Sequence, residues 1–151
     1  MASLRRELAA GLRRTAPYLL SHHDADERDR CHALRVRGRT VRLCARCAGI
    51  YPGIALGLWI AGGSRWAAPL SLIAVLPAFA LVDWAASAFA GADGGNAVRT
   101  ATGALLGLGY AFGAVRLLRD PPAPGVLAVG VAYALVAATL LTVERRVLPE
   151  R

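Results

Sequence analysis

Beyond residue 47 the chain is almost entirely four apolar runs, and no water-soluble fold of this size could bury them all. They cover 48–63, 66–90, 97–118 and 126–143, parted by short links rich in glycine and proline. Spanning a bilayer takes roughly 20 predominantly apolar residues, so the first run is short for the task. Its helix is expected to begin earlier, near Ala45. With 56% hydrophobic residues in 151 and a mean hydropathy of +0.43, lipid is the expected solvent for much of the chain. The predicted fold class is an all-α membrane protein. It consists of a four-helix transmembrane bundle over 48–146 with a small N-terminal Cys/His β-hairpin cap over 21–47.

The cap reading rests on alternation. Leu34, Val36, Val41 and Leu43 alternate with Arg35, Arg37, Thr40 and Arg42, and Gly38 sits at the turn. A two-residue Arg37-Gly38 turn pairs Val36 with Arg39 and Leu34 with Val41, and it sets Cys31 opposite Cys44. Directly opposed residues have Cβ atoms about 4.5–5.5 Å apart. The apolar face of this ribbon is expected to press on the bilayer or on helices, and the thiols to share the other face with Arg35 and Arg42.

Cys31, Cys44 and Cys47 are the chain's three cysteines. Together with His32 they suit a tetrahedral metal site, zinc above all, better than disulfide stapling. An iron–sulfur cluster fits less well because full ligation takes four cysteines. In an extended strand His32 faces away from Cys31, so either a kink brings it to the metal or His22 or His23 supplies the fourth ligand. Redox chemistry is the competing use. Cys47 in the first turn of a helix, beside Arg46, has the setting of a stabilised thiolate that could exchange with a disulfide through Cys44.

The formal charge is +8, with no lysine. No aromatic residues interleave the N-terminal arginines, which disfavours nucleic acid as a partner and favours anionic lipid headgroups. Residues 1–20 read as a basic amphipathic helix in which Leu4, Leu8 and Leu12 recur every fourth residue. Such a helix lies in the headgroup layer or packs on its own domain. Arg35, Arg37, Arg39, Arg42 and Arg46 extend the basic surface. With four spans both termini share one side, and the arginine bias puts that side in the cytoplasm, at the inner membrane. A reducing compartment would keep the thiols free. No secretory signal is visible in the sequence.

Inside the bundle, Gly49, Gly53 and Gly57, extended by Ala45 and Ala61, form a small-residue stripe. Gly103, Gly107 and Ala111 form another, and Gly109 with Gly113 a third. Stripes of this kind let helices approach closely in lipid, within one chain or against a second copy or another membrane protein. Asp83 lies inside the second run, where an ionisable group is expensive unless paired. Arg99 is its expected counterion, with Asn96 and Thr102 nearby. These residues make either a structural ion pair or an intramembrane polar site.

The block Cys44-Ala-Arg46-Cys47-Ala-Gly49-Ile50-Tyr51-Pro-Gly53, preceded by Cys31-His32 and a central Gly38, resembles a prokaryotic membrane-protein family catalogued as domain of unknown function 2085. Pro77, Asp83, Asn96, Arg99 and Gly103 match a later part of that family's pattern, so the resemblance runs from about Cys31 to Leu108. It implies a membrane location and one combined polar site, and it carries no assigned activity. Three uses of the chain follow from the residues. They are a metal site at the cytoplasmic face, a membrane thiol-disulfide oxidoreductase using Cys44 and Cys47, and a scaffold docking on anionic lipid or on a partner. No Gly-x-Ser-x-Gly elbow or phosphate-binding glycine loop supports a hydrolase or a transporter.

Overall fold

The computed structural model describes residues 7, 10–11, 28–36, 38–63, 67–92 and 94–147. The basic helix expected over 1–20 lies outside the described residues except for Glu7, Ala10 and Gly11, which are helical. His22, His23 and Arg37 lie outside them too.

A 3-10 turn, Arg28–Arg30, leads into strand β1, Cys31–Val36, which pairs antiparallel with β2, Arg39–Cys44. The register is the expected one, with Val36 opposite Arg39, Leu34 opposite Val41 and Cys31 opposite Cys44. Gly38 supports the turn at φ 76°, a left-handed conformation that side chains with a Cβ adopt at a cost. The apolar ribbon face is divided: Leu34 and Val36, toward the turn, are 49% and 52% exposed, while Val41 and Leu43 are half-buried.

Helix α1, Ala45–Gly62, follows β2 without a break. The Cys-x-x-Cys pair therefore straddles a strand end and the first turn of a helix. Helix α2, Leu70–Phe89, starts after Pro69, and α3 is Gly95–Arg119. Helix α4, Pro124–Val147, opens on a proline, whose fixed φ suits a first helical position. Of these helices, α2, α3 and α4 are long and apolar enough to cross a membrane. The expectation of four spans is thus met for three. α1, expected to be the short one, has 18 residues, carries Arg46 in its first turn and spends four positions on glycine, which lowers its hydropathy.

Those glycines set the packing. The buried residues of α1 are Ala45, Gly49, Gly53, Gly57 and Ala61, the whole of its small-residue stripe. Gly49 meets the backbone of Thr100 and Ala104, Gly53 that of Ala104, and Gly57 meets Ala111. The contacts advance together, so α1 and α3 run parallel. Gly103 and Gly107 reciprocate against Arg46 and Ile50. The third stripe serves α2, with Gly109 against Pro77 and Gly113 against Ile73, so α2 runs antiparallel to α3. Val126, at the start of α4, also reaches Gly113 near the end of α3. The helices therefore alternate in direction, and the hairpin, the end of α2, the start of α3 and the end of α4 share one end of the bundle.

The buried apolar cluster of Ala61, Ala68, Ile73, Phe112, Ala123 and Val126 lies at the opposite end. Val126 is the buried residue of α4, and Tyr133 Oη ties that helix to α2 by donating to the Ala74 carbonyl at 2.5 Å. Large apolar side chains on every helix face outward, Trp59, Val82, Tyr110 and Leu135 among them. In water such a surface would aggregate, whereas in lipid it is the solvated face.

A Cβ at Gly53 would stand 2.2 Å from the Ala104 carbonyl oxygen, with backbone behind it that cannot turn aside. Gly53→Val should therefore destabilise the detergent-purified protein by at least about 3 kcal/mol, the upper part of the overpacking range. Gly130→Ala, where nothing lies within 4 Å, should leave the melting temperature unchanged. Equal melting of the two variants would contradict this packing.

Candidate functional site

The polar end of the bundle begins with Arg46, the central basic residue of Cys44-Ala-Arg-Cys47. The first turn of α1 carries its guanidinium to α2, where Nη2 donates to Asp83 Oδ2 at 2.5 Å. The Asp83 side chain is 7% exposed and that of Arg46 27%. Thr102 Oγ1 lies 3.4 Å from the same carboxylate oxygen. The expected counterion, Arg99, is not the observed one. Its place at the polar end of the next helix suggested it, but the parallel seating of α1 on α3 brings Arg46 to the carboxylate first. Removing one member of such a pair strands the other at a cost of about 3–5 kcal/mol, and the part-exposure of Arg46 favours the lower end.

Asn96 and Thr100, one turn apart at the start of α3, bind the cap to the bundle. Asn96 Nδ2 donates to the carbonyls of Asp29 at 2.8 Å and Cys31 at 3.3 Å. Thr100 Oγ1 lies 2.9 Å from the Ala45 carbonyl and 2.8 Å from that of Asn96, and His32 Nε2 stands 2.8 Å from the same oxygen. A hydroxyl has one proton to give. With that proton on a carbonyl, His32 Nε2 is the donor to Thr100. His32 thus faces away from Cys31, as strand alternation requires, and its Nε2 is committed to α3. The kink that would bring it to the thiols does not occur.

The thiols do come together. Cys31 and Cys44 are opposed across the ribbon and both buried, and Cys47 shares a hydrogen bond with Cys44. None of the three is in a disulfide. Among the described residues no group of three or more His, Cys, Asp or Glu side chains is arranged to hold a metal ion, so the sulfurs are neighbours without forming a chelating set. Cys47 belongs to the cap, ahead of the apolar run. Burial, followed by the charge and hydrogen bond of Cys44, pushes its thiol up to about 11, against the lowering pull of Arg46. The sequence suggested the reverse, a thiolate stabilised by the helix start and Arg46. Desolvation and neighbouring sulfurs outweigh both, and the nucleophilic form that disulfide exchange needs is scarce at neutral pH.

Cys44 and Cys47 line a cavity of about 180 Å³ together with Arg30, Arg46, Arg99, Ile50, Trp84 and Ser87. Three arginines, two cysteines and a serine line it together. Arg99 is buried. Arg46 Nε is also buried and has no hydrogen-bond partner among the described residues. Sequence reasoning missed Arg30, Trp84, Ser87 and Thr100. Thr100 was within reach, one helical turn from Asn96 on the same face, whereas the others depend on which helices become neighbours. Of the arginines expected on the basic surface, Arg35 and Arg42 are exposed on the ribbon, and Arg46 turns instead to Asp83.

Asp83→Asn should lower stability by about 3 kcal/mol, and Arg46→Gln/Asp83→Asn should cost clearly less than the sum of the single changes, as read from thermal unfolding in detergent. Additive losses would mean that the two groups do not interact. Iodoacetamide should label Cys47 more slowly at pH 7.5 than an unperturbed thiol of pKa 9.0. Rapid labelling at that pH would restore the exchange reading.

Comparison with known proteins gives one family. The model of DUF2085, described as a predicted membrane protein, matches residues 27–112, which takes in the cap, α1, α2 and most of α3. No curated protein and no solved structure matches the chain.

Proposed function

The chain belongs to the predicted membrane protein family DUF2085, and on that footing we propose that it is a multi-pass receptor for an anionic ligand at the cytoplasmic face of the inner membrane. The observation that carries this reading is the convergence of Arg30, Arg46 and Arg99 on one cavity, with the buried Nε of Arg46 unsatisfied among the described residues. Guanidinium groups bind phosphate and carboxylate through paired, charge-assisted hydrogen bonds, and they do so most strongly where water is scarce. Arg46 spends Nη2 on Asp83 and keeps Nε for the ligand. A buried donor left unsatisfied costs about 1–3 kcal/mol, which a bound anion would recover.

In this reading α1 is the fourth span, running beside α3 through the bilayer. Both termini then lie with the cap on the cytoplasmic side, together with Arg99, Arg145 and Arg146, in keeping with the positive-inside tendency. The exposed ribbon dips Leu34 and Val36 into the lipid surface and turns Arg35 and Arg42 toward anionic headgroups.

The neighbouring sulfurs favour a second reading. Three thiolates from Cys31, Cys44 and Cys47 would hold a thiophilic ion such as zinc, with water or the anionic ligand in the fourth position. The sulfurs would have to turn toward a common centre from their present rotamers. His32 would contribute only by giving up Thr100.

Exchanging chloride for inorganic phosphate at constant ionic strength should raise the melting temperature of the detergent-purified protein by several degrees, through preferential binding to the folded state. Arg30→Gln/Arg99→Gln should abolish that rise, and an equal rise in both proteins would sink the anion reading. For the second reading, metal analysis of protein purified without chelator should find near-stoichiometric zinc in wild type and none in Cys44→Ser/Cys47→Ser. Equal, near-zero metal in both would remove it.

A further inference from the structure

We infer that an apolar groove between α2, α3 and α4 holds an isoprenoid quinone, with its head against Arg46 and Trp84. This goes beyond the anion-receptor reading and does not rest on it. The groove has a volume of about 580 Å³ and is lined almost wholly by apolar side chains. That volume lies within the roughly 300–1,000 Å³ of small-molecule sites. It exists because α4 packs sparsely on α3. Val126 meets Gly113, and Tyr133 is tied to α2 through the Ala74 carbonyl. The groove reaches from Ile73 and Val126 at the far end to Trp84 and Leu141 at the cap end.

The charged part of this groove lies at one end. Among its described lining residues Arg46 is the one charged side chain. It shares the cap end with Trp84, and both also line the smaller cavity. The fitting occupant is therefore a hydrocarbon chain with a polar head at the cap end. Asp83 decides the charge of that head. Arg46 already pairs with this carboxylate, so the end is neutral as a whole. A phosphate or carboxylate head would meet Asp83 with no spare cation in the described wall, and an ammonium head would meet Arg46. An uncharged head is selected.

Arg46 has five N–H donors and no acceptor. One is given to Asp83, and Nε is buried without a hydrogen-bond partner among the described residues. The Trp84 indole is likewise a donor only. The head therefore has to bring acceptors, which keto carbonyls do, and guanidinium hydrogens remain for an anion on the cap side. A flat ring suits walls made by an indole and a guanidinium, through offset stacking. The Trp84 ring is set edge-on against Phe89, with centroids 6.4 Å apart. An isoprenoid alcohol has no carbonyl and a diacylglycerol no flat ring. A quinone on an isoprenoid tail has the carbonyls, the ring and the hydrocarbon together.

Trp84 provides the test, because a quinone in contact with an indole quenches its fluorescence. The full chain carrying Trp59→Phe/Trp66→Phe retains Trp84 as its one tryptophan. In phosphatidylcholine nanodiscs it is titrated with decylubiquinone. Quenching should saturate, and an equal mole fraction of dioleoylglycerol should not relieve it. Adding Arg46→Gln/Asp83→Asn, which keeps the end neutral, should raise the quinone needed about tenfold, the loss of one hydrogen bond to a charged group. Adding Gly130→Phe, at a groove-lining site where nothing lies within 4 Å, should make quenching rise linearly, as collision from bulk lipid does. With all three tryptophans present, decylubiquinone should raise the melting temperature of the detergent-purified wild type and leave that of Gly130→Phe unmoved. Linear quenching without the Gly130→Phe change, or the same saturation with it, would overturn the quinone. So would an unchanged quinone requirement in Arg46→Gln/Asp83→Asn. Relief by dioleoylglycerol would give the groove to an ester lipid and overturn it too.

Discussion

Backbone-to-backbone contact between α1 and α3 underlies the architecture. With glycine at 49, 53 and 57 facing glycine at 103 and 107, the helices approach until carbonyls of one occupy the space a Cβ would take on the other. In lipid no hydrophobic effect pushes helices together, so dispersion across such smooth faces has to hold them. The parallel direction of the pair has structural consequences. It carries the hairpin, which continues directly into α1, to the end where α2 finishes and α3 begins. It also swings Arg46 over the bundle toward Asp83.

Arg46 then connects three things. It neutralises the buried carboxylate of α2, lies in the turn between Cys44 and Cys47, and stands on the wall between two cavities, one of them an apolar groove. A charge pair of this sort adds little net stability over a well-packed apolar alternative. Its place at the centre of the Cys-x-x-Cys turn makes sense as positioning, since the pair with Asp83 sets where the remaining guanidinium hydrogens are presented. The thiols are governed by the same surroundings. Burial and the neighbouring Cys44 push the Cys47 thiol up, which keeps it protonated at neutral pH.

Much of this was legible in the chain. Strict alternation about Gly38 gave the hairpin its register to the residue, because a one-residue slip would have turned Leu34 and Val41 to the thiol face. Spacing by four picked out the buried faces of α1 and α3, since small residues recur that way only where helices touch. The hidden part was what depends on helix neighbours. Asp83 was matched with Arg99 because both sit near the same end of consecutive helices, and nothing local reveals that α1 delivers Arg46 first. His32 beside Cys31 suggested a shared metal, yet Thr100, sixty-eight residues away, takes its Nε2. The groove had no local signal, because it arises from how sparsely α4 packs on α3 and not from any periodicity within one segment.

The central claim is that α1 delivers the cap onto the polar end of α2, and cross-linking tests it most directly. In a protein with Cys31→Ser/Cys44→Ser, Cys47 remains as the native thiol, and a second cysteine is placed at Ser87, which lines the same cavity. A short bis-methanethiosulfonate should join the two within the chain in membranes, and the same reagent should leave a control cysteine at Ser71, at the other end of α2, unlinked. Linkage at Ser71 or none at Ser87 would mean that the cap does not sit where its arginine meets the carboxylate.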